Sequence, residues 1–221
     1  MDEVYAIIVA GGSGSRMGTS IPKQFLDLAG KPIIIRTLEK FLEIKNIKII
    51  VVINGDYFSF AQNEFSKHNL SDIKLVKGGN SRFQSVRNGL NAIQSSTGVV
   101  LIHDAVRPFV SIEIIRNSIT MTLDKGNAIT AVKAKDSIRQ IDHSSGHSTM
   151  LNRSDIMLVQ TPQTFQLEVI KRGFLQEECT SFTDDASVVE KNGEIINLID
   201  GDYKNIKITT PEDLIIAQAL I

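Results

Sequence analysis

The chain has 221 residues, 42% hydrophobic and 22% charged, which suits a single domain-sized core spanning residues 1–221. A formal net charge of −1 gives no basic field for nucleic acid, and no apolar run reaches the roughly 20 residues needed to span a membrane. One cysteine, Cys179, excludes an internal disulfide framework and points to a reducing, cytoplasmic setting.

The N-terminus, Met1-Asp2-Glu3-Val4, lacks the basic and apolar regions of a secretion signal, so none is expected. Residues 5–9 then form an apolar run of strand composition that ends in glycines. Residues 37–44 read as a helix, and 47–53 as a second strand closed by Asn54-Gly55. In 58–68, Phe58, Ala61 and Phe65 recur at helical spacing, and 73–76 is the next strand. Residues 82–94 read as helix, 99–103 as strand, 112–124 as helix through Ile112, Ile115 and Ile119, and 128–133 as strand. Such alternation predicts an α/β fold of three layers, a mostly parallel twisted sheet with helices on both faces. Ligands of such sheets gather beyond the carboxyl ends of the strands.

The alternation breaks near Lys135. Two short flanks, 137–142 and 148–152, surround the polar turn 143–147 and read as a protruding hairpin arm over 135–153. A lone hairpin is marginal in water, so the arm is expected to pack on something, a second subunit being the natural candidate. Beyond it, 167–176 and 184–192 read as helices, 206–208 as a strand, and 211–219 as a closing helix with Pro211 at its start.

The segment Ala10-Gly11-Gly12-Ser13-Gly14-Ser15-Arg16-Met17-Gly18 follows the first strand directly. Glycines let a backbone approach a ligand closely, and successive N–H groups make an anion-binding nest. Arg16 adds a guanidinium, and Pro22-Lys23-Gln24 an ammonium, a pairing suited to a triphosphate. A Walker A loop fails because Thr19 stands where its lysine belongs. A dinucleotide fingerprint fails at Met17, and the acid after the second strand, Asp56, comes too late.

Downstream, Gly78-Gly79-Asn80-Ser81-Arg82 joins a strand to a helix. His103-Asp104-Ala105-Val106-Arg107-Pro108 puts a carboxylate and a guanidinium at a strand's carboxyl end. Asp104 is a candidate ligand for magnesium or for a ribose hydroxyl, the lesser alternative being a carboxylate that caps the following turn or pairs with Arg107. Thr183 reads, on its own, as a helix N-cap, and Lys207 as a surface lysine on a short strand. Cys179, with no histidine near it in sequence, reads as an ordinary thiol, and no His/Cys spacing resembles a zinc site.

In their order, AGGSGSRMG with PKQ, GGNSR, HDAVRP, VQTPQTF, TDDASVVE and NIKITTPEDL resemble the 2-C-methyl-D-erythritol 4-phosphate cytidylyltransferases over nearly the whole chain. The resemblance implies a Rossmann-like nucleotidyltransferase fold and transfer of a cytidylyl group from CTP to a sugar-alcohol phosphate, with release of pyrophosphate. It implies that Ala10, Gly11 and Gly12 cradle CTP and that Arg16 and Lys23 grip its triphosphate. Gly78, Asn80 and Ser85 would meet the cytosine; relatives often carry an acid where this chain has Asn80. Asp104 and Arg107 would stand near the ribose and the acceptor. Ser137, Arg153, Thr161, Thr183 and Lys207 match acceptor-binding positions, Ser137 where relatives often have Thr. Asp104, Lys207, Arg16 and Lys23 form the catalytic set, Mg2+ is the implied cofactor with Asp104 its candidate protein ligand, and the arm is the implied dimerisation element. Two rival readings remain at this point. One is a pentitol-phosphate cytidylyltransferase, similar at the glycine loop, HDAVRP and NIKITTP. The other is a nucleotide-binding module without catalysis.

Overall fold

A computed structural model describes residues 3–12 and 21–221 of the protein. Strand β1 (Val4–Ala10) is apolar at every position, as a strand buried on both faces must be. It pairs in parallel with β4 (Lys48–Ile53) on one side and β6 (Val99–Asp104) on the other. β5 (Lys74–Lys77) extends the β4 edge. Beyond β6 come β10 (Met157–Gln166), then β7 (Asn127–Lys133) and β11 (Leu198–Asp200). The order is β11-β7-β10-β6-β1-β4-β5, with β10 antiparallel to both its neighbours and the remaining pairs parallel. A small ribbon, β2 (Asp27–Leu28) with β3 (Lys31–Pro32), precedes the first helix.

The strands' period of two divides their side chains between two cores. Ala6 and Ile8 of β1 pack with α1 (Ile33–Leu42), α2 (Phe58–Lys67) and α4 (Ile112–Lys125) on one face. Tyr5 and Ile7 pack with α3 (Arg82–Asn91), α5 (Leu167–Gly173) and α6 (Asp185–Lys191) on the other. The expected three layers are therefore present. Helix α3 lies close to the sheet because it carries Gly89, where a Cβ would come within 2.9 Å of Ile7 and Val52. A third, smaller core of Leu28, Ile33, Val106, Ile208 and Ala217 seats α7 (Pro211–Ala219), whose N-cap Thr210 and Asp213 form a capping box.

Three expectations need correction. Residues 206–208 do not form a strand: the backbone is irregular, and Ile208 N–H reaches a single partner, the Val106 carbonyl, at 3.0 Å. The strand β10 went unpredicted because VQTPQTF lacks an apolar run; Gln160, Thr161, Gln163 and Thr164 are buried there with Pro162 among them. Its register shifts between Val159 and Gln163, a bulge of the kind that re-aims side chains beside active sites. Helix α1 begins at Ile33, earlier than the periodicity suggested, with Pro32 as its N-cap.

The arm is present as β8 (Ile138–Ile141), which among the described residues pairs only with β9 (Ser148–Leu151). Ile141 and Met150 on it are 57% and 68% exposed, so it brings apolar surface to the outside with no core of its own. Among the described residues no helix is long and apolar enough to cross a membrane.

Candidate active site

β4 and β5 lie on one side of β1 and β6 on the other, so the chain changes its direction of winding at β1. Open α/β sheets bind their ligands at this point, beyond the carboxyl ends. Here the ends of β1, β4, β5 and β6 enclose a cavity of about 790 Å³. Ala10, Gly11, Gly12, Lys23, Gly78, Asn80, Ser85, Asp104 and Lys207 all line it, so nine residues singled out from the sequence meet in one place. Arg16 lies outside the described residues. A second cavity, about 620 Å³ near Lys48 and Lys74, holds none of the expected site residues.

Lys23 owes its place to a residue that sequence reading gave no role. Gln24 is buried, and its Nε2 donates to the Ala10 carbonyl at 2.8 Å, pinning the short 3-10 turn Lys23–Phe25 to the end of β1. Lys23 and the end of β1 that leads into the glycine segment thus share one anchor.

On the β5 side, Ser81 caps α3 by accepting from Gln84 N–H at 3.0 Å. Ser85 Oγ donates to the Ser81 carbonyl at 2.8 Å and accepts from Gly79 N–H at 3.1 Å. A Cβ on Gly78 would stand 3.0 Å from that Oγ and 3.4 Å from the Ile53 carbonyl, so this crossing of β4, β5 and α3 fits glycine. Arg82, also on the cavity, makes a bidentate pair with Asp185: Nη1 and Nη2 each donate to a carboxylate oxygen at 2.6 Å. Burial alone would lower the Arg82 pKa, but Asp185 holds it above its ordinary value, so it remains a cation. The GGNSR motif could have flagged Arg82; its partner, 103 residues away, could not be read from sequence.

Asp104 is the electrostatic hub. Lys207 Nζ lies 3.0 Å and Arg107 Nε 3.4 Å from its Oδ2. Burial would raise its pKa, yet Lys207, Arg82 and Arg107 hold the carboxyl far below the usual carboxylate range. Arg107 Nη1 also donates to the Asn205 carbonyl at 2.7 Å, tying this turn to the segment that carries Lys207. Behind Asp104 runs a buried chain. Asp104 N–H donates to Thr161 Oγ1 at 3.1 Å, Thr161 Oγ1 lies 3.0 Å from His103 Nδ1, and His103 Nε2 lies 3.1 Å from the Arg107 carbonyl. The carbonyl requires Nε2 to carry the proton, so the Thr161 hydroxyl donates to Nδ1. Complete burial lowers the His103 pKa to about 4, so this imidazole is neutral.

The remaining acceptor candidates lie apart. Ser137, Arg153 and Thr183 are exposed and do not line the cavity. Arg153 opens a short 3-10 turn at the arm's base and donates through Nη1 to the Lys135 carbonyl at 2.8 Å. Thr183 is not the helix N-cap expected: Asp184 caps α6 in a box with Ser187, and Thr183 N–H donates to Ser187 Oγ at 3.1 Å. An aspartate at the cap accepts the Ser187 N–H directly, leaving the Thr183 hydroxyl without a capping role. Cys179 is exposed in the same loop, its thiol lowered in pKa by Ser181.

Among the described residues no cluster of three or more His, Cys, Asp or Glu side chains forms a metal cage. Two carboxylates, Asp56 and Asp104, line the cavity, and Asp104 Oδ2 is taken by cations. That donor set fits a magnesium ion carried in mainly by a ligand's phosphates, and does not fit a cage made by protein alone.

Residues 4–221 match the family model described as 2-C-methyl-D-erythritol 4-phosphate cytidylyltransferase. A relative of that name from Bacteroides fragilis is 44% identical over 219 residues, covering 98% of each chain. Another from Clostridium perfringens is 42% identical over 226 residues, covering all of both chains. The crystal structure of 4-diphosphocytidyl-2C-methyl-D-erythritol synthase from Anaerococcus prevotii superposes with a TM-score of 0.86 at 33% identity, covering 99% of this chain and 96% of that one. The Francisella tularensis cytidylyltransferase gives a TM-score of 0.79 at 33% identity, covering 99% of this chain and all of that one.

Proposed function

We infer the division of labour within this site from one premise: the chain belongs to the 2-C-methyl-D-erythritol 4-phosphate cytidylyltransferase family. It transfers the cytidylyl group of CTP to 2-C-methyl-D-erythritol 4-phosphate, giving 4-diphosphocytidyl-2-C-methyl-D-erythritol and pyrophosphate. This reading stands over the pentitol-phosphate and non-catalytic alternatives. The observation that carries the assignment of roles is that the Gly11-Gly12 backbone, Lys23, Asp104 and Lys207 line one cavity.

In the proposed mechanism, a phosphate oxygen of the acceptor attacks the α-phosphorus of CTP in line. The bond from that phosphorus to the bridging oxygen of the β-phosphate breaks, and pyrophosphate carries away the electron pair. A phosphate monoester is already an anionic nucleophile near neutral pH, so no dedicated general base is needed. The work of the site is positioning and charge stabilisation. Gly11 and Gly12 cradle the triphosphate, while Arg16 and Lys23 stabilise charge on the leaving pyrophosphate. Gly78, Asn80 and Ser85 bound the base. Asp104 holds Lys207 in place through its 3.0 Å ion pair, so that ammonium is aimed before substrate arrives. Magnesium, held by the phosphates with Asp104 as its candidate protein ligand, would supply charge neutralisation of the triphosphate.

The acceptor side is completed by a second subunit in this proposal. Arg107, Thr161, Thr183 and Lys207 belong to one chain, and Ser137 and Arg153 come from the partner's arm. The arm's exposed Ile141 and Met150 favour burial against another chain. The chain forms one nucleotidyltransferase domain, with 135–153 as its dimerisation arm, and works in the cytoplasm. The experiment is pyrophosphate release from CTP and Mg2+ with methylerythritol phosphate or ribitol 5-phosphate as acceptor. Rapid release with the first alone is expected. Equal rates with both would overturn the acceptor assignment, and loss of activity on removing Mg2+ checks the metal.

A further inference from the structure

Three successive backbone donors on the cavity wall are already occupied. Gly78 N–H donates to the Ile53 carbonyl at 2.7 Å, Gly79 N–H to Ser85 Oγ at 3.1 Å, and Asn80 N–H to Gln84 Oε1 at 3.0 Å. Ser85 has also spent its own proton on the Ser81 carbonyl. What residues 78–80 have left to offer a ligand from the backbone is therefore carbonyl oxygen. The Asn80 side chain is exposed and can present either end of its amide, so it discriminates weakly.

Cytosine carries an amino group, a donor, at the ring position where uracil carries a carbonyl, an acceptor. A strip of carbonyls pairs with the first and repels the second. Two of the three donors are removed by the fold itself: the Ile53 carbonyl belongs to β4, and Ser85 is locked by the turn into α3. The third depends on one side chain. Gln84 is held in turn by Glu178, whose carboxylate accepts from Gln84 Nε2 at 3.0 Å, and this fixes the amide so that Oε1 faces Asn80 N–H. The amide orientation follows from both partners, because a carboxylate can only accept and an N–H can only donate.

We propose that Gln84 is a specificity-determining residue, which selects CTP over UTP by withdrawing the Asn80 N–H from the base site, with Glu178 setting its orientation. The proposal rests on the reading that residues 78–80 bound the base. Without Gln84, the Asn80 N–H becomes free to donate to the uracil carbonyl, and UTP gains an interaction that CTP does not.

The test compares kcat/KM for CTP and UTP, with methylerythritol phosphate saturating, in three variants. Gln84→Leu keeps the side chain's approximate size and removes the acceptor. It is expected to lower the CTP:UTP ratio roughly tenfold, mainly through improved use of UTP. The double variant Gln84→Glu with Glu178→Gln reverses the pair while keeping an acceptor against Asn80 N–H, and should restore the ratio. Gly78→Ala is the control for the base site, since its Cβ crowds Ser85 Oγ at 3.0 Å, and it should raise KM for CTP. Circular dichroism and thermal melting establish that each variant is folded. If Gly78→Ala raises KM but Gln84→Leu leaves the ratio unchanged, the role given to Gln84 is wrong. If neither changes any nucleotide parameter, the base does not bind here and the underlying reading fails with it.

Discussion

The two ends of the site are built differently. At the proposed nucleotide end, side chains are locked within the chain: Gln24 to Ala10, Ser85 to Ser81 and Gly79, and Arg82 to Asp185. Of the proposed acceptor residues, Arg107 and Lys207 are held by Asp104, but Ser137, Arg153 and Thr183 are exposed, and among the described residues the arm that carries Ser137 and Arg153 pairs only with itself. Preorganised groups cost nothing to align at the moment of reaction, so in the proposed division of the site the nucleotide end is set before CTP arrives. The acceptor end needs something further to enclose it.

If that contrast is right, substitutions at the nucleotide end divide cleanly into those that unfold and those that slow. The largest effect is expected at Arg82→Ala, which strands Asp185, 0% exposed, as a buried charge. Breaking such a pair typically costs about 3–5 kcal/mol, so urea denaturation should show a loss of that order. A second change, Asp185→Asn, should recover part of it. Stability unchanged in Arg82→Ala would show that the pair is not the clamp described here.

Lys23→Ala and Arg16→Ala should do the opposite, leaving denaturation midpoints nearly intact while slowing turnover. Loss of one donor to developing charge typically costs about 2.7–4 kcal/mol of barrier, roughly 10²- to 10³-fold in rate. Steady-state kinetics beside thermal melts decides the matter, and near-normal turnover in either variant removes that residue from its role.

A third effect concerns acid. His103 has its folded pKa lowered from 6.5 to about 4. Above pH 6.5 neither state binds the proton and the group contributes nothing to the pH dependence. As pH falls from 6.5 to about 4, the unfolded chain takes up a proton that the folded chain refuses, so stability declines. The shift corresponds to about 3 kcal/mol in total. Asp104 adds little within this window, because a carboxyl depressed in the folded state loses its stabilisation only as pH falls below its unfolded pKa of 3.8, at the acid edge of the range. Denaturation curves at pH 7, 5.5 and 4 should follow this decline, and His103→Asn should flatten it. Equal slopes in wild type and variant would mean that His103 is not the group responsible.

The same division marks what could be read without a structure. β1, β4 and β6 announce themselves because strands buried on both faces are continuous apolar runs, and the glycine loop after β1 is legible because few other functions require it. β10 was missed because its buried face is polar, and its stability comes from partners far along the chain: Thr161 to His103, Gln163 to Asp184 and Ala186. Lys207 was placed on a strand that does not exist, since Ile206 and Ile208 alternate correctly but find no ladder. His103 looked like the last residue of an apolar run and proved to be the buried support of its neighbour Asp104. Side chains whose function is to hold other side chains leave little periodic trace, which is why Gln24 and Gln84 were also passed over.

The smallest expected signal tests the acceptor end most directly. Among the described residues Arg153 donates only to the Lys135 carbonyl at the arm's base and is exposed, while its planar guanidinium is suited to bidentate binding of phosphate. The acceptor brings such a phosphate, and it must lie beside the α-phosphorus of CTP. If the arm delivers Arg153 to the partner's site, Arg153→Ala should raise KM for methylerythritol phosphate and leave KM for CTP nearly unchanged. Mixing Arg153→Ala with Lys23→Ala sharpens this further. A heterodimer whose arms act across the interface has one site with both defects and one with neither. Random exchange makes roughly half the dimers mixed, so about one site in four becomes intact. Activity should return to that order after exchange is allowed, and should not return when the subunits are cross-linked before mixing. If mass spectrometry confirms exchange and the mixture stays inactive, Arg153 serves its own subunit or none, and the acceptor end must be closed in some other way.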